Sequence, residues 1–397
     1  MGMKLLIISF GHTENALSVC RAISEKIDVT LLFVASGNTF KEGILNVNIC
    51  SLPYGITDSD ELINKLLPDE VNSFIDKKFN VWFLKTPNRK ILKDFKLKNL
   101  RICYKASKII KQKNYDLIHY NGTSGFIFYL TRFLRKYPAA WTLHDYMAHS
   151  GEENLKNKLI NKIYVKNNFH FIQHFKYLKD EFIKYFNVEQ GKVHQVYSGT
   201  DDIFTKFRNN NENNYNNYVL FFGRVSKYKG IEYLVEVFNN SADELGNTKL
   251  VIAGEGNLWF DKQKIENNKN IIFLNRYIET SELVSLIIGS LFVITPYTDA
   301  THSGVIMTSF AFNKPVLSSD VGGLHEVVEN GVTGILFKPK DVNSLKEKLL
   351  YLLNNRSLLD EMSRNISEKR LNGILSWSSV ANRYCEIYNY IIENYKS

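Results

Sequence analysis

The run Phe221-Phe222-Gly223-Arg224-Val225-Ser226-Lys227-Tyr228-Lys229-Gly230 places fixed cations between an apolar, strand-like stretch and Ile231, Leu234, Val235 and Phe238 at helical spacing. A helix N-terminus carries unpaired N–H groups and about half a positive charge, so Arg224 and Lys229 beside one form a cradle for a diphosphate. Arg grips two phosphate oxygens at once, and Lys supplies a point charge. Ala253-Gly254-Glu255-Gly256 follows a second strand-like stretch and lets a ligand approach bare backbone. A third run, Thr295-Pro296-Tyr297-Thr298-Asp299-Ala300-Thr301-His302-Ser303-Gly304-Val305, ends at another helix start.

The elements that must position these residues read as an α/β protein. Strand candidates are Lys4–Ser9, Asp28–Ala35, Asp116–Tyr120, Ala139–Leu143, Phe169–His174 and Val193–Tyr197, then Tyr218–Phe222, Lys249–Ala253, Asn270–Leu274, Leu291–Thr295 and Pro315–Ser318. Helical patterns lie between them, as in parallel sheets covered on both faces. Gly11 follows the first strand and precedes Ala16, Val19, Cys20 and Ile23 at i, i+3, i+4 and i+7, a Rossmann-like opening without G-x-G-x-x-G. In such sheets ligands sit at the carboxyl ends of the strands. Asn209–Asn217, with seven Asn in nine residues, reads as a linker. The expected division is an N-terminal unit over 1–200 and a C-terminal unit over 201–376. A last helix over 377–397, with Trp377, Val380, Ala381, Tyr384 and Tyr388 on one face, is expected to pack back on the first unit.

At 397 residues and 44% hydrophobic content, the chain is large enough for two cores. Cys20, Cys50, Cys103 and Cys385 are scattered without a C-x-x-C pair, which excludes a zinc ribbon or disulfide framework and suits a reducing compartment. No apolar run has the length of a membrane span, so a cytoplasmic location is expected. The net charge of +9 is uneven: Asp76–Lys113 holds thirteen Lys and Arg against two Asp, interleaved with Phe79, Trp82, Phe83, Ile91, Leu92, Phe95 and Leu97. That strip is either a surface for anionic lipid headgroups, at about 1 kcal/mol per basic residue, or a solvated helix face. The chain has neither zinc-finger spacing nor an RNP-like motif, and no nucleic-acid partner is expected.

Taken in order, G-R-x4-K-G, A-G-x-G, P-Y-x-x-A-T-x-S-G-V, Lys314-Pro315-Val316 and Asp320-Val321-Gly322-Gly323-Leu324-His325-Glu326 resemble the C-terminal half of the family 4 glycosyltransferases. The resemblance extends to Thr142-Leu143-His144-Asp145 and to Gly199-Thr200-Asp201 with Phe204. It implies the GT-B fold, two facing Rossmann-like domains with parallel sheets and an interdomain cleft. It also implies retaining transfer from a nucleotide-sugar, UDP being favoured, to a glycan or lipid-linked acceptor. Arg224 and Lys229 would take the donor diphosphate and His144 would lie at the reacting centre. Gly11, Gly223, Gly254, Glu255, Gly256, Tyr277, Ile278, Ala300, His302, Ser303, Gly304, Val305 and Thr308 would line the donor site. Charge developing on the departing phosphate oxygen is met by preset cations and helix dipoles, with no covalent nucleophile required.

One departure stands out. The family's pair of glutamates, eight positions apart, falls on Ala300 and Thr308, so both carboxylates are absent. A hydrogen bond to a charged group is worth about 1.5–3 kcal/mol, so losing one costs roughly ten- to hundredfold in affinity. His302 and Thr308 are candidate substitutes, and a non-catalytic nucleotide- or glycan-binding subunit is the alternative. A nucleotide-sugar 2-epimerase shares the architecture but needs carboxylates and histidines not found here as a set. Glu326 either braces Gly322-Gly323 or approaches the donor. Asp58-Ser59-Asp60 spells a D-x-D but precedes Glu61-Leu62-Ile63, which reads as a helix start. His144 and His149 do not share a helical face, and no metal or other cofactor is expected.

Overall fold

The computed structural model describes residues 2–87, 97–123, 127–144, 165, 169–208 and 215–396. Asp145, His149, most of the asparagine-rich linker and the centre of the basic strip therefore lie outside the described residues.

Leu5, Leu6, Ile7 and Ile8 are all buried because β1 (Lys4–Ser9) lies inside a sheet covered on both faces. That sheet also holds β2 (Asp28–Ser36), β5 (Gly55–Thr57), β6 (Asn80–Thr86), β7 (Leu117–Asn121), β8 (Ala139–Thr142), β9 (His170–Gln173) and β10 (Val193–Gln195). Its order is β10-β9-β8-β7-β1-β2-β6-β5, parallel except for the β5–β6 pair. A second sheet comprises β11 (Tyr218–Phe222), β12 (Lys249–Ala253), β13 (Ile271–Leu274), β14 (Val293–Thr295), β15 (Val316–Ser319) and β16 (Gly334–Phe337), in the order β13-β12-β11-β14-β15-β16. Every pair in it is parallel. A small antiparallel hairpin, β3 (Thr39–Glu42) and β4 (Leu45–Asn48), stands apart. Strand order reverses at β1 in the first sheet and at β11 in the second, the positions where a crevice opens between diverging connections.

The last helix, Trp377–Lys396, buries Val380, Ala381, Tyr384, Ile387, Tyr388 and Ile391. It packs along helix Thr13–Ile23 of the first half, and Tyr388 Oη lies 2.7 Å from His119 Nδ1 on β7. Thr142 Oγ1 takes the other ring nitrogen at 2.8 Å. Burial pushes His119 down to about 3, so the ring is neutral, with both ring nitrogens held by hydroxyls. At the crossover between the sheets, Trp377 Nε1 donates to the Thr200 carbonyl at 3.0 Å, and a Cβ on Gly199 would run into the indole. The chain's end thus pins the point where one half passes into the other.

The basic strip resolves into unlike parts. Phe79, Trp82 and Phe83 are core, and Lys85 is buried with its ammonium donating to the carbonyls of Ile49, Cys50 and Leu52 at 2.7, 3.0 and 2.9 Å. Helix Leu97–Gln112 keeps an exposed face of Arg101, Tyr104, Lys105, Lys108 and Lys111. Asp60–Leu66 is a helix with Ser59 at its N-cap, although no side chain caps it.

Tyr388→Phe leaves a buried ring nitrogen of His119 without its partner. A loss of about 1–3 kcal/mol in urea unfolding is expected, without change in the folded secondary structure. An unaltered midpoint would mean that this tie does not hold the helix.

Candidate functional site between the two sheets

Because the strands are parallel, their carboxyl ends gather the functional residues. From the first sheet, β1 leads through Gly11 (φ 149°) to His12 (φ 52°), β7 ends at Asn121, β8 leads to His144 and β9 to His174. Ser9 Oγ donates to the Gly11 carbonyl at 2.6 Å and fixes this exit. His144 Nε2 lies 2.6 Å from Asn121 Oδ1, and the exposed ring of His12 stacks on that of His144 with centroids 3.8 Å apart. His302 of the opposite half stands 6.1 Å from His144 and 6.4 Å from His174. Four imidazoles from two halves therefore meet.

They line a cavity of about 200 Å³, together with Glu14, Asn15, Ser198, Asp201, Phe204, Gly304, Met307 and Thr308. Burial, reinforced by neighbouring histidines, holds His144 well below the ordinary range and His174 down to about 3. Asp201 is buried too, and burial pushes its carboxyl up to about 8. Thr308 Oγ1 donates to Asp201 Oδ2 at 2.9 Å.

The second half supplies a larger pocket of about 740 Å³, bounded by Gly223, Arg224, Ser226, Gly254, Glu255, Gly256, Arg276, Tyr277 and Ile278 among others. Its floor is two glycine turns zipped together: Gly223 N–H donates to the Ala253 carbonyl and Val225 N–H to that of Glu255, each at 3.0 Å. Gly223 (φ 112°) and Gly254 (φ 152°) hold backbone that side chains rarely adopt, and a Cβ on Gly254 would strike the Gly223 carbonyl. Arg276 grips both oxygens of Glu282 at 2.8 and 2.6 Å and so fixes the loop bearing Tyr277. Lys41, from β3 of the other half, lies over the Tyr277 ring at 4.6 Å.

Helix Gly304–Ala311 joins the two spaces. Ser303 is its N-cap, Gly304 lines the smaller cavity, and Val305 faces Gly223, where a Cβ would come within 3.5 Å of it. Lys229 borders neither pocket directly; its ammonium sits 3.7 Å from the Tyr297 ring centroid, and Tyr297 Oη is 3.3 Å from Ser303 Oγ. Arg224 is exposed, with its guanidinium 3.4 Å from Tyr228 Oη. Both cations thus stand on the side of the 304–311 helix start. Ala300 is buried beneath the turn at Gly322, whose missing Cβ leaves room for the Ala300 carbonyl.

His12, His174 and Asn15 are among the lining residues that the sequence did not mark out. Their positions just after strands β1 and β9 were the available signal. The Glu326 backbone N–H donates to the Gly323 carbonyl at 3.1 Å, while its carboxylate reaches the other half. Its two oxygens accept from the N–H groups of Lys176 and Tyr177, at 2.9 and 2.7 Å, at the start of helix Lys176–Phe186 in the first half. A carboxylate from one half caps a helix of the other.

Profiles of known families match this chain in two adjoining stretches, "Glycosyltransferase Family 4" over residues 68–203 and "Glycosyl transferases group 1" over 202–369. An uncharacterized glycosyltransferase of Methanocaldococcus jannaschii is 29% identical over 270 residues, 67% of this chain and 73% of that protein. The lipopolysaccharide 1,2-N-acetylglucosaminetransferase of Salmonella typhimurium is 27% identical over 183 residues, 42% of this chain and 47% of that protein. The crystal structure of Anabaena HepE in complex with UDP and glucose superposes with a TM-score of 0.66 at 15% identity, covering 98% of this chain and all of that one. The chain belongs to the family 4 glycosyltransferases and has their GT-B fold.

The buried histidines make stability depend on pH with a definite sign. His174 titrates near 3 when folded and near 6.5 when unfolded, so below about 6.5 the unfolded chain takes up a proton that the folded one refuses. Stability is full above pH 6.5 and falls as the pH falls towards 3. Between pH 7 and pH 5, His174→Gln should lose about 2 kcal/mol less than wild type in urea unfolding. Equal losses would contradict a buried neutral His174.

Proposed function

We propose that the chain transfers a hexose, with retention, from a nucleotide-sugar to a glycan or lipid-linked acceptor, and does so without a metal ion. The observation that carries this is the gathering of Arg224, Lys229 and the start of helix Gly304–Ala311 beside the glycine-floored pocket. In glycosyl transfer from such a donor, negative charge grows on the departing diphosphate oxygen. Two preset cations and a helix dipole stabilise that charge without reorganising, which is the work a metal does elsewhere. The 740 Å³ pocket then receives the nucleoside, with Tyr277 and Ile278 at its wall, and the smaller cavity receives the sugar. His144 borders that cavity at the reacting centre. Uridine is the favoured base, consistent with the UDP held by the fold relative.

The acceptor side is the first half, and a surface polysaccharide or glycolipid precursor at the cytoplasmic face of a membrane is the proposed setting. Among the described residues no helix is long and apolar enough to cross a membrane. The exposed Arg101, Lys105, Lys108 and Lys111, with Tyr104 between them, form a basic face on helix Leu97–Gln112. Each basic residue near an anionic surface contributes about 1 kcal/mol. Flotation with vesicles containing phosphatidylserine should carry the protein, and Lys105→Glu/Lys108→Glu should abolish it. Failure of wild type to float would remove the membrane from this picture.

A second reading, a non-catalytic nucleotide- or glycan-binding subunit, is favoured by one observation. Ala300 and Thr308 offer no carboxylate where the family has two, and the Thr308 hydroxyl is already taken by Asp201. Calorimetry with UDP, GDP, ADP and their glucose esters, in chelator, decides the donor site. One nucleotide should bind, and Arg224→Ala/Lys229→Ala should weaken it at least tenfold while the protein stays folded. No binding near millimolar concentration would leave the scaffold role standing.

A further inference from the structure

Resting on the donor reading, we propose that the 200 Å³ cavity selects an uncharged, hydroxyl-bearing sugar ring, and that Asp201, held by Thr308, is the side chain that reads its hydroxyls. By liquid volume the cavity equals roughly six or seven waters, the space of one sugar ring rather than of a nucleotide.

Its walls are polar and incomplete. Among the described residues, His144 Nδ1 and His174 Nε2 are buried without a hydrogen-bond partner. Asp201 directs Oδ2 to the Thr308 hydroxyl. Buried polar atoms in folded proteins nearly always find partners, because each one left alone costs about 1–3 kcal/mol. Two such atoms around one cavity mark a site completed by a ligand carrying several hydrogen-bonding groups.

Charge decides which ligand. Among the described residues no Lys or Arg side chain lines the cavity, whereas Glu14 and Asp201 do. Glu14 is committed, with Oε1 accepting from Ile44 N–H at 2.9 Å and Oε2 lying 3.3 Å from Thr13 Oγ1. Asp201 is the carboxyl left for the ligand. Pushed up to about 8 by burial, it keeps its proton near neutrality and both donates and accepts. That pairing suits sugar hydroxyls. A uronic acid would bring a carboxylate into a space with two carboxyls and, among the described residues, no fixed cation, and a phosphate would fare no better. The fixed cations stand on the other side of the Gly223–Val305 contact, where the diphosphate belongs.

The test is calorimetry with UDP, UDP-glucose, UDP-N-acetylglucosamine and UDP-glucuronate on wild type, Asp201→Asn and Asp201→Ala, with thermal melts to verify folding. Wild type should bind one of the two neutral sugar nucleotides at least tenfold more tightly than UDP, and UDP-glucuronate no more tightly than UDP. Asp201→Ala should lose the sugar-dependent gain while its affinity for UDP stays within twofold of wild type, and Asp201→Asn should keep most of the gain. A gain that survives in Asp201→Ala, or that UDP-glucuronate shares, overturns the proposal while leaving the donor site intact. Absence of UDP binding by wild type brings down the donor reading and this proposal together.

Discussion

Parallel strands leave their sheet at one edge, and in this chain two such edges are held face to face. That constraint places Gly11, His12, Asn121, His144 and His174 of the first sheet opposite Gly223, Gly254 and the Thr295–Val305 run of the second. Several contacts set the spacing across the gap. Glu326 caps helix Lys176–Phe186, Phe175 lies against Gly323 where a Cβ would crowd its ring at 3.2 Å, and Lys41 covers Tyr277. The last helix returns to the first half, and Trp377 binds the Thr200 carbonyl at the crossover. Without these contacts neither edge alone forms the smaller cavity, because His302, Thr308 and Met307 come from one half and His12, His144 and His174 from the other.

Within the gap the electrostatics are divided. Arg224 and Lys229 stand with the glycine turns and the helix start at Ser303, in exposed and half-buried positions. Beyond Val305, burial holds the His144 and His174 imidazoles deprotonated and the Asp201 carboxyl protonated. A donor molecule has the same division, an anionic diphosphate joined to an uncharged ring. In the transfer proposed above, the bond broken between them would lie at this boundary, where developing charge is nearest to the preset positive groups.

The buried strands were legible because parallel β-structure covered on both faces reads as short apolar runs. Lys4–Ser9, Tyr218–Phe222 and Lys249–Ala253 coincide with β1, β11 and β12. The region from Phe40 to Asn114 was not: β3, β4 and β5 are only three or four residues long and pair antiparallel, and the seven-residue parallel strand β6 lies hidden within the basic strip. Aromatic residues there suggested a surface strip, yet Phe79, Trp82 and Phe83 are core, and a buried Lys85 looks like any other lysine in a sequence. The motif-bearing loops announced themselves through glycines that no other residue replaces, such as Gly254 and Gly322. His12, His174 and the Asp201–Thr308 pair did not, because their significance lies in contacts between positions as far apart as 107 residues. Glu326 shows the same limit: its motif was visible, but its partner lies 150 residues away.

In the reading proposed above, one donor molecule spans both spaces, with its diphosphate at the cationic side and its sugar in the cavity between the halves. A crystal structure of the chain with an intact, unreactive UDP-sugar analogue, grown in chelator, tests this directly. The account predicts phosphate oxygens within hydrogen-bonding distance of Arg224, Lys229 and the amides at Gly304 and Val305. It also predicts the sugar ring among His144, His174, His302 and Asp201. A donor bound outside the gap, or one turned so that its sugar lies in the glycine-floored pocket, would contradict it.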